Sequence, residues 1–117
     1  MKSLLIETIE AVGYKNLVYL QGSMNPDEAY PDKFVTILTI GSPDAAHFDN
    51  VSVGTAWKYQ VINYANDPLV VAEDAKKIRI ALKAAGFIPQ GKGRDIPSDE
   101  PTHTGWVTDY YFLEMEE

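Results

Sequence analysis

The chain has 117 residues, 45% hydrophobic and 23% charged, a length and composition typical of one soluble globular domain with its own hydrophobic core. Acidic residues outnumber basic ones 17 to 10, and the formal net charge of -7 disfavours nucleic-acid binding, because phosphate contacts need clustered cations. The chain has no cysteine, which excludes disulfides, thiolate metal sites and a cysteine nucleophile.

The sequence gives no indication of membrane insertion or secretion. No apolar run approaches the about 20 residues that span a bilayer. Glu7 and Glu10 also interrupt the N-terminal stretch at positions where a signal peptide stays apolar. We therefore expect one domain over residues 1–117, without a membrane partner, in the cytoplasm.

The first predicted element is a short helix near the N-terminus. Leu5, Ile9 and Val12 recur at helical spacing and define one apolar face. Gly13 follows as a left-handed C-terminal stop, and Tyr14 is placed to fold back on Ile9.

Two strands and two long connections are predicted next. Residues 17–21 form a short apolar strand, and residues 22–33 form a surface loop whose two prolines cannot donate to a strand ladder. Residues 34–40 have apolar residues on both alternating faces, which indicates a strand that is covered on both faces or paired in the middle of the sheet. Residues 41–53 mix turn-forming residues with an aromatic residue and are predicted to be a loop.

A third strand and the second helix follow. Residues 55–65 alternate, with Trp57, Tyr59 and Val61 on one face. Asp67 and Pro68 then provide an N-cap and a first helical residue. The helix that they begin has an apolar stripe at Val71, Ala75, Ile78, Leu82 and Ala85.

The helix is predicted to end at Gly86, with Phe87 contacting Leu82 across a Schellman-type cap. Residues 87–105 are predicted to be a third long loop, and residues 106–114 an aromatic-rich strand. The predicted order is αβββαβ. A small antiparallel or mixed sheet with both helices on one face buries the apolar positions of such a pattern, so the fold class is α+β.

The three long loops, 22–33, 41–53 and 87–105, are unusual in a compact domain, and loops of this length are usually functional or disordered. The Gly-Lys-Gly stretch at 91–93 suggests phosphate binding. It lacks the spacing of a phosphate-binding loop and precedes no helix, so we interpret its glycines as turn residues.

The third loop contains possible metal ligands, since Asp95, Asp99, Glu100 and His103 offer suitable ligand atoms. No predicted helix or strand fixes their separation, so a solvated acidic turn is the preferred interpretation. His47, between Asp44 and Asp49, is a weaker candidate for the same reason. We predict no metal and no cofactor.

The sequence offers no catalytic motif. None of the serines lies in a nucleophile elbow, and neither histidine has a recognisable base or orienting partner. The aromatic residues of the last two predicted strands have few flanking cations, so we expect them to fill the core or an interface rather than stack bases. The chain is not expected to be an enzyme.

Most of the chain resembles small proteins encoded in the tail-assembly region of siphophages and prophages of Gram-positive bacteria. The resemblance is carried by LVYLQGSMNPDEAYPDKFVTI, AWKYQVINYANDP and ALKAAGFIPQGKGRDIPSDEPTHTGW. The combination of QGS, DEAYPD, GKGRD and DEPTHTG is specific to that group. Size, element order and long loops are similar to those of tail terminator and head-to-tail joining proteins, a family without catalytic residues.

That resemblance implies a subunit of a homo-oligomeric ring, usually a hexamer, which caps the tail tube and meets the head connector. It also implies assembly in the host cytoplasm and a place in the neck or tail of the virion. Residues 86–105 would then be an assembly arm. Complementary charges between copies would set its register, from Lys92 and Arg94 against Asp95, Asp99 and Glu100, with His103 nearby.

Three alternatives stay open at this point. The long loop could be mobile and solvated, without any role in assembly. The protein could be a small hydrolase or metal-dependent enzyme with a site assembled from loops 22–33, 41–53 and 87–105. It could also be a regulatory module that binds a small ligand in a cleft of the sheet.

Overall fold

A computed structural model describes residues 2–20, 31–41, 47–48, 51–52, 54–97 and 102–115. The helices are α1, Lys2–Ile9, and α2, Pro68–Ala84. The strands are β1, Val18–Leu20; β2, Lys33–Gly41; β3, His47–Phe48; β4, Val51–Ser52; β5, Gly54–Ala65; β6, Ile88–Pro97; and β7, Thr104–Met115.

Five of these strands form one mixed sheet in the order β1-β2-β5-β7-β6, while β3 and β4 pair with each other. Strands β1 and β2 are parallel, and every other pairing in the sheet is antiparallel. The predicted α+β class is confirmed, as is the interior position of β2. The sheet has more strands than the predicted order αβββαβ provides.

Both helices cover the same face of the sheet. Side chains that alternate along β2, β5 and β7 lie on this face, and they join helix residues in one buried cluster. The cluster contains Leu5, Ile9, Tyr14, Val35, Ile37, Tyr59, Val61, Ile78, Leu82, Phe87 and Tyr110. The predicted placement of two helices on one face is therefore confirmed, and the core lies between them and the sheet.

The chain leaves α1 through a wider, π-helical turn, Glu10–Tyr14. Gly13 has a φ of 122°, as expected for the left-handed stop that its position predicts. Tyr14 and Ile9 are both fully buried in the core cluster. The turn thus brings an aromatic side chain under the helices rather than releasing the chain into solvent.

The ends of α2 follow the predicted chemistry. Asp67 caps the helix by accepting a hydrogen bond from the backbone N–H of Leu69 at 3.0 Å. At the other end, the Phe87 N–H donates to the Leu82 carbonyl at 2.9 Å, and Gly86 has a φ of 102°. These are the bonds of a Schellman-type cap, and Phe87 is buried in the same cluster as Leu82.

The loop predicted over 87–105 is wrong for its larger part. Residues Ile88–Pro97 form β6, which pairs antiparallel with β7. Two prolines and two glycines made this strand hard to predict from the sequence. An edge strand tolerates them because its outer side has no neighbouring strand that needs backbone N–H donors. Most side chains of β6 are exposed, so it lacks the alternation that identifies a half-buried strand.

The other two predicted loops are only partly described. Within 41–53, the short strands β3 and β4 pair antiparallel, with His47 opposite Ser52, so this region is not loop throughout. Of the predicted loop 22–33, residues 22–30 lie outside the described part of the chain, and Lys33 already belongs to β2.

Candidate interaction site

The Gly-Lys-Gly stretch forms a bulge in β6. Gln90 pairs with Asp109 and Arg94 with Val107, so three residues of β6 lie opposite the single residue Thr108. The indole N–H of Trp106 donates to the carbonyl of Lys92 at 2.9 Å and fixes the bulge against β7. This geometry agrees with the interpretation of the glycines as turn residues and gives them a specific place in the sheet.

A groove of about 430 Å³ lies between this bulge and α2. Its lining combines apolar residues with three cations: Ala72, Ala75, Ile80, Trp106, Lys76, Arg79 and Lys92. Ile80 is 69% exposed, so together with Trp106 it gives the groove accessible apolar surface. The groove therefore presents apolar surface and positive charge together.

Arg79, which lines this groove, also contains a buried polar atom. Its Nε atom is buried and has no hydrogen-bond partner within the described part of the chain. Buried donors of this kind nearly always have an acceptor in native proteins. A guanidinium group binds a carboxylate in preference to most acceptors because its N–H groups match the two oxygens.

Charge is distributed unevenly along the sequence. Residues 68–97, which contain α2 and β6, hold six lysines and arginines and three acids. The rest of the chain holds four lysines and arginines and fourteen acids. The segment that builds most of the groove is thus positive in a strongly negative protein, so the groove favours an anionic partner surface.

The structure separates the residues that were predicted to form an assembly arm. Lys92 lines the groove. Arg94 pairs with Val107 and so lies on the opposite face of the sheet, while Asp95 pairs with Trp106 on the groove face. Asp99 and Glu100 lie outside the described residues. Residues 88–97 belong to the sheet and are not a free arm.

His103 has local partners that give it a structural role. Its Nε2 atom lies 2.8 Å from the Pro31 carbonyl oxygen, and its Nδ1 atom lies 2.9 Å from Oγ1 of Thr102. The ring is 6.0 Å from that of Phe34. These contacts join the start of β7 to the start of β2.

The metal candidates receive no geometric support where the structure describes them. Among the described residues, no three histidine, aspartate or glutamate side chains form a group that could hold a metal ion. Asp44 and Asp49, the proposed neighbours of His47, lie outside the described residues, as do Asp99 and Glu100.

A buried polar cluster beneath the helices was missed in the sequence. The Tyr14 hydroxyl donates to Oδ2 of Asp74 at 2.5 Å. Lys33 Nζ lies 3.7 Å from the same oxygen and 4.6 Å from the centre of the Tyr14 ring. The one sequence feature that could have indicated this cluster is Asp74, which interrupts the apolar stripe of α2 between Val71 and Ile78. Because Tyr14 is fully buried, the cluster links the π-helical turn after α1 to α2 and β2.

Two buried tyrosines, Tyr14 and Tyr110, make the free energy of unfolding depend on pH in the alkaline range. Burial, followed by the hydrogen bond and the charge of Asp74, raises the pKa of Tyr14 far above its usual value of about 10. Burial also raises the pKa of Tyr110 to about 12, against smaller opposing effects of Arg79 and Thr108. The folded state therefore retains protons that the unfolded state loses as pH rises through about 10.

We expect the free energy of unfolding to decrease above about pH 10, by up to about 1.4 kcal/mol per pH unit for each tyrosine. Tyr14→Phe should be less stable at pH 7 by about 1–3 kcal/mol, because Asp74 loses a buried donor. Between about pH 9 and 11, the free energy of unfolding of this variant should decrease less than that of the wild type. Urea unfolding across this range measures both effects, and an unchanged alkaline slope in Tyr14→Phe would contradict the assignment.

Comparisons with known proteins do not place the chain in a family. A scan against models of known protein families gave no match, and a search of curated proteins gave no significant match. In the described part of the chain, neither helix has the length and apolar character needed to cross a bilayer.

Proposed function

We propose that this chain is a structural phage or prophage protein, a tail terminator or head-to-tail joining protein that forms a ring through contacts between copies. The observation that carries the proposal is the apolar, cation-lined groove between α2 and β6 in a chain that is otherwise strongly acidic. A ring requires two different, complementary patches on each subunit, because its contacts are head-to-tail. The sequence resemblance to phage tail-assembly proteins supports the same function.

The form of β6 supports contacts through side chains rather than through an added strand. The strand lies at the edge of the sheet, where unpaired backbone groups could recruit a neighbour. Pro89 and Pro97 lack N–H groups, and the bulge at 91–93 interrupts the edge. Such features block strand addition in natural sheets. The groove beside β6 is therefore the stronger contact surface.

The proposed partners are further copies of this chain, the tail tube and the head connector. Assembly would occur in the host cytoplasm, and the mature protein would lie in the neck or tail of the virion. No direct contact with nucleic acid is proposed, because the net charge is -7. The alternative enzyme function relied on three loops, and much of one of them, 87–105, is now strand β6.

Reversing Lys76 and Lys92 to glutamate should impair ring formation without unfolding the domain. Both side chains line the groove and are exposed, so their charges contribute little to folding. At an interface with acidic surface, two reversed charges replace attraction by repulsion. Size-exclusion chromatography with light scattering measures the mass of the assembly, and circular dichroism measures the melting temperature.

The matched control reverses Lys15 and Lys83, which are also exposed and change the net charge equally. This control should retain the wild-type mass. In a phage that carries the gene, the Lys76/Lys92 variant should produce defective particles. Normal assembly and normal infectious particles from that variant would contradict the proposed function.

A further inference from the structure

We propose that the groove between α2 and β6 binds residues 113–117 of a neighbouring copy. This inference rests on the proposed function and specifies the contact by which one subunit binds the next. The two halves of this contact are the groove, which is positive and apolar, and residues 113–117, which begin within β7 and are acidic and apolar.

The groove sets two requirements for its occupant. Arg79, Lys76 and Lys92 give the groove positive charge, which favours an anionic occupant. Ile80 and Trp106 give it apolar surface. An occupant with closely spaced carboxylates and apolar side chains among them satisfies both requirements.

Residues 113–117 have this composition. Their sequence is Leu-Glu-Met-Glu-Glu, with three acids, two apolar residues and no base. No other window of five residues in the sequence contains three acids. In the proposed contact, the carboxylates of this segment would meet the three cations of the groove, and its apolar residues would meet the apolar part of the lining.

The register of the sheet requires that the contact join two copies. Leu113 pairs with Ala56 and Met115 with Gly54, which places these two residues at one end of β7. Trp106, which lines the groove, lies nine positions before Met115, about 30 Å away along a strand. In one copy, the strand residues that begin the segment therefore lie far from the groove. Contact between the two patches is head-to-tail, and this type of contact closes into a ring when the rotation between copies allows it.

Two variants isolate the two halves of the contact. In the first, Glu114→Gln, Glu116→Gln and Glu117→Gln neutralise the segment and leave the groove intact. In the second, Arg79→Gln removes the guanidinium from the groove and leaves the segment intact. Lys15→Gln is the control, because it removes an exposed positive charge outside the groove.

Light scattering should show that each variant alone is monomeric, whereas the wild type and Lys15→Gln assemble. An equimolar mixture of the two variants should form dimers and nothing larger, because each pair retains one functional contact. Should Arg79→Gln unfold, Lys92→Gln replaces it in the same mixture. A mixture that stays monomeric, or a segment variant that assembles normally, would overturn the inference.

A peptide experiment tests the groove without requiring a ring. A fluorescein-labelled peptide of residues 111–117 should bind the segment variant, whose groove is vacant, and its anisotropy should rise. Arg79→Gln or Lys92→Gln added to that receptor should weaken binding at least about tenfold, as expected for loss of a charge-assisted hydrogen bond. Lys15→Gln should leave it unchanged, and added salt should weaken it.

The outcomes separate the two hypotheses. A wild-type chain that forms rings, with a peptide that fails to bind, would overturn this inference and leave the proposed function intact. A wild-type chain that stays monomeric both alone and on tail tubes would overturn the proposed function itself. Equal binding of the peptide to the receptor with and without Arg79→Gln would show that the groove is not its site.

Discussion

Replacing Leu82 by alanine is expected to lower the free energy of unfolding by about 2–5 kcal/mol. Leu82 is 0% exposed and belongs to the cluster that joins α2 to the sheet. Its carbonyl accepts the cap hydrogen bond from Phe87, and alanine preserves that bond. The loss therefore reflects the removed side chain and the cavity that it leaves. Urea unfolding followed by circular dichroism measures it.

The same substitution at Leu69 is the matched control. Leu69 lies in the first turn of the same helix and is 74% exposed. Exposed substitutions usually change stability by less than about 0.5 kcal/mol, and alanine is a good helix former. A similar loss at both positions would show that burial of Leu82 against the sheet does not determine the cost.

Helix α2 was predictable because several independent local features agree on it. Asp67 and Pro68 mark its start, the apolar period marks its buried face, and Gly86 marks its end. Local chemistry fixes these features, and tertiary packing reinforces them. Asp74 is the exception on this face. Its burial depends on Tyr14, sixty residues away in the sequence, and no local pattern reveals that partner.

Strand β6 was not predictable by the same reasoning. Its residues have neither helical nor alternating periodicity, and the bulge shifts its register against β7. The strand exists because β7 provides a long partner with matching backbone groups. Pairing of this kind depends on residues distant in sequence, and single-sequence patterns do not report it.

The set of residues that lines the groove could not be predicted from the sequence either. Lys92 was identified from its own loop, together with its sequence neighbours Arg94 and Asp95. The structure instead places Lys92 with Lys76 and Arg79, which come from α2. The crossover from β5 through α2 to β6 brings these cations together, with β7 between the two strands. Residue types along the loop could not indicate this arrangement.

The bulge that positions Lys92 depends on one of its two glycines far more than on the other. Gly91 and Gly93 both have positive φ, 77° and 86°. A Cβ at Gly91 would meet no atom within 4 Å. A Cβ at Gly93 would overlap with the Trp106 indole nitrogen and the Thr108 hydroxyl, and it would lie 2.5 Å from the Val107 carbonyl oxygen.

Gly93→Ala is therefore expected to lower the free energy of unfolding by about 3 kcal/mol or more, since overlap adds to backbone strain. Gly91→Ala should lower it by about 1–2 kcal/mol, from strain alone. The Val107 carbonyl belongs to the backbone of β7 and cannot move without disturbing the sheet, so relaxation at Gly93 must displace β6 and the Trp106 contact. Urea unfolding measures both costs, and Trp106 fluorescence should change only in Gly93→Ala. Equal costs for the two variants would show that β6 is not held against β7 in this register.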